Sequence, residues 1–136
     1  MTTPELLLVT AAAVHMGFQA TVTTVVYPAL ARVPATQWSG AHRAHTRAIT
    51  PLVVVVYGAL VAAGGWALLS GPGGWTLVAL AAVAAAFGVT ASVAAPAHGR
   101  LGGGHDAERI RRLLRADRLR AVAAVVALAA AVLAAI

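Results

Sequence analysis

The feature that most constrains the fold of this chain is a series of four long apolar segments joined by short connections. The segments cover about residues 5–30, 42–69, 75–96 and 107–136 of the 136. A helix that crosses the hydrocarbon core of a bilayer needs roughly 20 mainly apolar residues, with a usual range of about 17–25. Short connections make neighbouring helices antiparallel. We therefore predict an all-α fold, an integral membrane antiparallel four-helix bundle, in which residues 1–136 form one domain.

The composition supports a membrane environment and excludes several kinds of site. Hydrophobic residues make up 60% of the chain and charged residues 10%, with a mean hydropathy of +0.84. A soluble domain of this length could not bury so much apolar surface. The chain has no cysteine, which excludes disulfides and thiolate metal sites.

The ten basic residues are all arginine, and most of them flank two of the three connections. Arg32, Arg43 and Arg47 flank the first connection, residues 100–120 flank the third, and residues 70–74 of the second carry no charge. The positive-inside rule then predicts that the arginine-rich connections are cytoplasmic and that both termini lie outside. Since the arginines alternate with apolar segments, we attribute the net charge of +6 to topology and to contact with anionic lipid headgroups. We expect no nucleic-acid partner.

An ionisable side chain, His15, lies near the middle of the first apolar segment. Such a group is costly at mid-membrane depth, and it usually faces a protein interior, a water-filled pocket or a ligand. Gln19, Thr23 and Tyr27 follow at intervals of four residues, so on a helix they form one slowly winding ridge with His15. We interpret His15, Gln19 and Tyr27 as candidate catalytic residues. The alternative is interhelical hydrogen bonding that only holds the bundle together.

Four histidines are candidate metal ligands. His42 and His45 are three residues apart and share a helical face, a spacing that can place two imidazoles on one metal ion. His98 lies at a similar depth in an antiparallel bundle, and His15 is the deep fourth candidate. We expect the third helix to end at Pro96 and to present His98 inward from a broken terminus, because proline and glycine interrupt helices. An ordinary loop histidine is the alternative.

Arginines accompany these histidines along the sequence. Arg43 and Arg47 lie beside the histidine pair, and Arg100 follows the third histidine closely. We expect these three guanidinium groups to bind the charged part of a cofactor. The alternative is an interfacial histidine–arginine cluster that binds lipid phosphate.

The fourth helix divides its charged residues between two faces. At 100° per residue, Asp117 falls on the apolar face and Arg120 borders it. A buried carboxylate needs a partner, which Arg120, Arg47 or a histidine would supply. We interpret Asp117 and Arg120 as candidate catalytic or orienting residues, with a structural ion pair as the alternative. The stripe expected to face lipid headgroups consists of Arg111, Arg112, Arg115 and Arg118.

Several of these residues together carry a resemblance. They are the first-span histidine followed by Gly-Phe-Gln and Val-Val-Tyr-Pro, His42 and His45 with Arg47, Pro96-Ala-His98 with Arg100-Leu101, and Asp117 with Arg120. In these motifs, over nearly its whole length, the chain resembles a family of small four-span bacterial membrane proteins of uncharacterised activity. The resemblance implies a multi-pass protein of the bacterial inner (cytoplasmic) membrane. The chain is more loosely similar, in size and span count, to small anthrone-oxygenase-like membrane proteins.

A shorter resemblance is to the membrane-associated glutathione transferases. Residues 43–50 are similar to the second-helix motif of that family. The chain departs from the motif at Arg47 and Thr50, where the family has Asn and Glu. The resemblance therefore does not imply glutathione binding.

The polar residues support three hypotheses about function. The first is a membrane-embedded, metal-dependent oxidoreductase that acts on a lipophilic small molecule at a histidine-rich site inside the bundle. Its metal would be copper, iron or zinc, since imidazoles are present and thiolates are absent. A haem held by two histidines is not expected, because no other segment has a histidine at the depth of His15.

The second hypothesis is transport of a small molecule, an ion or protons along the ridge from His15 to Tyr27. The third is a non-catalytic helper subunit that packs against another membrane protein through its small residues. A homo-oligomer is a further expectation.

Overall fold

The computed structural model describes all residues 1–136 and contains helices and connections but no strand. The four long helices are α1 (Thr3–Ala31), α2 (Trp38–Leu69), α3 (Gly74–Leu101) and α4 (Ala107–Ala135). All four are long and apolar enough to cross a membrane, and they pack against one another as a four-helix bundle. The predicted fold class is therefore confirmed, and the chain is a multi-pass membrane protein.

The helix ends follow from local sequence chemistry. Thr2 and Glu5 form a capping box at the start of α1, in which the Thr2 amide donates to Glu5 Oε2 at 2.6 Å. Asp106 caps α4, because its Oδ1 accepts from the Arg109 amide at 3.0 Å. This hydrogen bond lowers the pKa of Asp106. Gly71 has a φ of +80°, a left-handed conformation that suits glycine in the turn between α2 and α3.

Two helices contain a π-helical turn followed at once by a proline. In α1 the turn is Val22–Val26, and Pro28 lies just after it; in α3 the turn is Thr90–Ala94, and Pro96 lies just after it. A proline ring clashes with the backbone of a regular helix interior. Here each proline comes directly after a π turn within a continuous helix, and such local adjustments are one way in which a membrane helix accommodates proline.

This arrangement corrects two expectations about the third helix. It does not end at Pro96 but continues through Leu101, and His98 lies within a helical turn rather than at a broken terminus. The second helix also begins earlier than about residue 42, at Trp38. The buried Trp38 indole donates to the Leu101 carbonyl at 2.9 Å, which joins the start of α2 to the end of α3.

The core consists of small side chains at one end of the bundle and of larger ones at the other. At the turn end, which contains residues 70–73 and both termini, the core consists mainly of alanine. There α2 and α3 approach closely, since a Cβ on Gly64 would lie 2.9 Å from Leu80 Cδ2. At the opposite, arginine-rich end, which contains residues 32–47 and 98–120, the backbones of the two helices have few close contacts, and the helices meet through side chains such as Trp38 and His42. Large apolar side chains cover the outer surface, including Val55 at 70% exposed, as expected of a surface in contact with lipid.

Candidate functional site

The separation of α2 and α3 leaves a cleft of about 660 Å³ at the arginine-rich end. Helices α1, α2 and α3 supply its walls, and α4 contributes Arg120. Several lining side chains are also exposed on the bundle surface, Val54 at 65% among them, so the cleft opens to the outside. The main apolar lining residues are Phe18, Val22, Ile49, Val53, Val54 and Ala94. The main polar lining residues are Tyr27, His42, Arg43, Arg47, Thr90, His98 and Arg120.

The imidazole of His98 joins two other polar side chains of the cleft. Its Nε2 lies 3.0 Å from the Tyr27 hydroxyl, and its Nδ1 lies 3.2 Å from His42 Nε2. A neutral imidazole donates from one nitrogen and accepts at the other. Tyr27, His98 and His42 therefore form a series through which a proton can pass by a change of tautomer.

A buried ion pair lies beside this series. Arg120 Nη2 donates to Asp117 Oδ1 at 2.7 Å and to the Tyr27 hydroxyl at 3.4 Å. Gln19 Nε2 donates to the same carboxylate oxygen at 2.7 Å. Of the three partners considered for Asp117, Arg120 is the one in contact. These bonds join α1 to α4 and connect the ion pair to the cleft through Tyr27.

Tyr57 and Thr90 belong to the same polar cluster, although sequence reasoning did not select them. The Tyr57 hydroxyl lies 3.0 Å from Thr90 Oγ1, which in turn lies 3.5 Å from Arg120 Nη1. A tyrosine in the middle of an apolar span was the signal that would have indicated Tyr57. Thr90 begins the π turn of α3, and nothing in the residue spacing predicts that turn.

His15 is fully buried, as its mid-membrane position predicts, but it stands apart from the hydrogen-bonded series. Neither of its ring nitrogens has a hydrogen-bond partner. Its ring packs edge-on against Tyr57, with centroids 5.4 Å apart. Between the residues of the predicted ridge there is one side-chain hydrogen bond, from Gln19 Nε2 to Thr23 Oγ1 at 3.2 Å. His15 therefore contacts the site through the Tyr57 ring.

The other three candidate metal ligands are neighbours. The His98 ring stacks against His45 with centroids 5.5 Å apart and against His42 with centroids 5.3 Å apart. His45 Nε2 is buried and has no hydrogen-bond partner. No group of three or more His, Asp or Glu side chains is arranged to hold a metal ion. Metal binding through His15, His42, His45 and His98 thus stays a prediction.

The arginines predicted to bind a cofactor occupy different positions. Arg43 and Arg47 line the rim of the cleft, whereas Arg100 is exposed and does not line it. Elsewhere on the surface, Arg111 and Arg112 pair with Glu108. The four arginines of the stripe expected to face headgroups are all exposed.

No protein-family model, curated protein or solved structure matches the chain. The resemblances noted above therefore stay expectations. The site is interpreted from its own residues.

Proposed function

We propose that this protein is a membrane-embedded enzyme that acts on a lipophilic small molecule bound in the cleft between α2 and α3. The observation that carries the proposal is the joining of two features in one cavity. The cleft has apolar lining residues on α1, α2 and α3, and it also holds the hydrogen-bonded series of Tyr27, His98 and His42 next to the Asp117–Arg120 ion pair. A mainly apolar pocket with a few convergent polar groups is typical of small-molecule sites.

The size and position of the cleft suit a ligand that arrives from the bilayer. Its volume of about 660 Å³ falls within the roughly 300–1,000 Å³ common for small-molecule pockets. Val53 and Val54 of α2 and Phe18 of α1 are among its apolar lining residues. A lipophilic molecule would pack against these side chains and extend its polar group toward His98 and Tyr27.

The reaction that this site supports best is proton transfer. His98 can take a proton from one side of its ring and release one from the other, which is the requirement for a general acid–base residue. Arg120, 3.4 Å from the Tyr27 hydroxyl, would stabilise negative charge that develops there or on a substrate oxygen. Asp117 holds Arg120 in place, and Gln19 in turn holds Asp117.

A metal-dependent oxidoreductase is the second candidate, favoured by the stacking of His42 and His45 around His98. These imidazoles would be the ligands of copper, iron or zinc. Elemental analysis of protein purified from cells grown with all three metals tests this second candidate. Near-stoichiometric metal that is lost in His42→Ala and His98→Ala but kept in His105→Ala would support it, since His105 lies outside the stacked group. Protein that binds none of these metals would contradict it.

An enzyme fits the polar cluster better than a transporter does. The hydrogen-bonded groups lie at the arginine-rich end, and His15 is the deepest polar side chain in contact with them. Between His15 and the turn end the interior is packed with apolar side chains, apart from the buried Thr76. A conduit across the bilayer would need polar groups along its full length.

A substitution that fills the cleft tests whether a lipophilic compound binds there. The protein is purified in a mild detergent, extracted with organic solvent, and the extract is analysed by mass spectrometry for a retained lipophilic compound. Val53→Trp fills the cleft and should abolish retention. Val55→Trp, two residues away on the lipid-facing surface, is the matched control and should keep it. Equal retention in the two variants would contradict the proposal.

A further inference from the structure

We infer that the molecule taken up by the cleft is a single-tailed amphiphile with an anionic head, such as a long-chain carboxylate. This inference rests on the proposed function, because it names the class of molecule that enters the proposed site. Its basis is the charge of the cleft lining, which includes Arg43, Arg47 and Arg120 but no Asp or Glu.

The arginines at the rim have no carboxylate partner within the chain. The protein has only four acidic residues, and each is engaged elsewhere. Glu5 caps α1, Asp106 pairs with Arg109, Glu108 pairs with Arg111 and Arg112, and Asp117 pairs with Arg120. Arg43 and Arg47 are one helical turn apart, so both guanidinium groups can reach one anion.

One buried donor of the cleft points to the same kind of ligand. Arg120 is 7% exposed and lines the cleft, yet its Nε has no hydrogen-bond partner. A buried donor without an acceptor is costly, and an anionic head supplies several acceptor oxygens.

The apolar lining residues of α2 indicate the shape and polarity of the part of the ligand beyond its head. Ile49, Val53 and Val54 follow the rim arginines along α2, so a tail would run from the charged rim along these residues. A cleft of about 660 Å³ is of the size that holds one drug-sized ligand. We therefore commit to one tail rather than to the two tails of a bilayer phospholipid.

The experiment uses fluorescence quenching by spin-labelled lipids. In the Trp66→Phe/Trp75→Phe background, the sole tryptophan is Trp38, whose ring stacks on His42 with centroids 5.6 Å apart. Both replaced tryptophans are exposed near the turn end, so the fold should be kept. The probes are doxyl-stearic acid, its methyl ester and doxyl-labelled phosphatidylglycerol, each titrated in non-ionic detergent at mildly alkaline pH.

We expect saturable quenching by the acid and much weaker quenching by the ester. Arg43→Gln/Arg47→Gln should weaken acid binding by about tenfold or more, because a hydrogen bond to a charged group contributes enough free energy for such a factor. The matched control is Arg115→Gln/Arg118→Gln, which removes two exposed arginines outside the cleft and should leave binding nearly unchanged.

Four results would overturn the inference. Equal binding of acid and ester would show that the anionic head is not recognised. Equal losses in the two arginine double variants would show general surface attraction. Tight, competitive quenching by phosphatidylglycerol would identify a lipid headgroup as the occupant. These three results leave the proposed function in place if Val53→Trp still abolishes retention of the lipophilic compound. Failure of every probe, together with no effect of Val53→Trp, would remove the proposed function as well.

Discussion

At the scale of single residues, the buried polar groups differ in how well they are satisfied. Gln19 donates a short hydrogen bond to the Asp117 carboxylate, and Arg120 donates another to the same oxygen. His15 is equally buried but makes none. A buried polar group without a partner costs about 1–3 kcal/mol. His15 therefore lowers the stability of the fold. Residues that lower stability in this way are often found at functional sites.

Replacing His15 by leucine is expected to leave thermal stability unchanged or to raise it. Leucine is apolar and of similar size, so the unsatisfied nitrogens disappear while packing against Tyr57 is largely kept. Gln19→Leu is the comparison, because it removes the amide that donates to Asp117 Oδ1 and should lower the melting temperature. Thermal unfolding in detergent, followed by circular dichroism, measures both. A loss of stability in His15→Leu as large as that in Gln19→Leu would contradict this account.

The Asp117–Arg120 pair is expected to behave as one unit. Removing one partner of a buried ion pair leaves the other charge uncompensated and typically costs about 3–5 kcal/mol. Asp117→Asn and Arg120→Met should each destabilise the protein strongly. The double variant Asp117→Asn/Arg120→Met should lose less than the sum of the two single losses, because no lone charge remains. Unfolding midpoints of the three variants test this, and additive losses would contradict the coupling.

At the scale of the elements, the two π turns determine which side chains meet in the cleft. Val22 lies in the first turn, Thr90 and Ala94 lie in the second, and all three line the cleft. A π turn adds one residue to a helical turn and rotates everything beyond it. His98 therefore faces Tyr27 because of the π turn before Pro96, and π turns are frequent at functional sites.

Deleting Ser92 from the π turn of α3 tests this role. The deletion should restore regular helix and rotate His98 by about 100° relative to the earlier part of α3. We expect the helical content to stay the same and ligand retention to be lost. Far-ultraviolet circular dichroism measures the first and mass spectrometry of the retained compound measures the second. Undiminished retention would show that the π turn does not orient the site.

The same turns explain what the sequence could and could not predict. Segment length and hydropathy were sufficient for four helices, since a bilayer leaves few other solutions. The mid-span position of His15 correctly indicated that this side chain is buried. Tyr27 is buried as well, but it lies beyond the π turn of α1, so the spacing of four residues does not account for its orientation. The contact of Tyr57 with Thr90 depends on helix rotation and on the π turn of α3, which residue spacing at 100° per residue does not encode. The Asp117–Arg120 pair is three residues apart on the regular helix α4, a separation that this spacing does bring together.

At the scale of the whole molecule, the distribution of arginine separates two ends of the bundle. The cleft, the histidines and most arginines lie at one end, and the uncharged turn and both termini lie at the other. The positive-inside rule predicts that the arginine-rich end is cytoplasmic, and the proposed proton transfer would then exchange protons with that side. The lipid-facing surface exposes mainly valine, leucine and alanine, so entry to the cleft from the bilayer meets no polar barrier at Val54.

This orientation is testable because the chain has no cysteine of its own. Ser70→Cys and Ala35→Cys each introduce one thiol at an exposed position, the first at the turn end and the second at the arginine-rich end. A membrane-impermeant maleimide added to intact spheroplasts should label the Ser70→Cys protein at once. It should label the Ala35→Cys protein only after the membrane is permeabilised. The reverse pattern would invert the topology.

The central claim is that the series of Tyr27, His98 and His42 transfers protons to or from a molecule in the cleft. Its most direct test returns the compound retained by the wild-type protein to purified protein in deuterated buffer and measures carbon-bound deuterium by mass spectrometry. We predict steady incorporation with the wild type and with His105→Gln. Tyr27→Phe and His98→Gln should slow it by about 10²–10⁴-fold, the usual contribution of a general acid–base residue. Incorporation at the wild-type rate in both variants would contradict the claim.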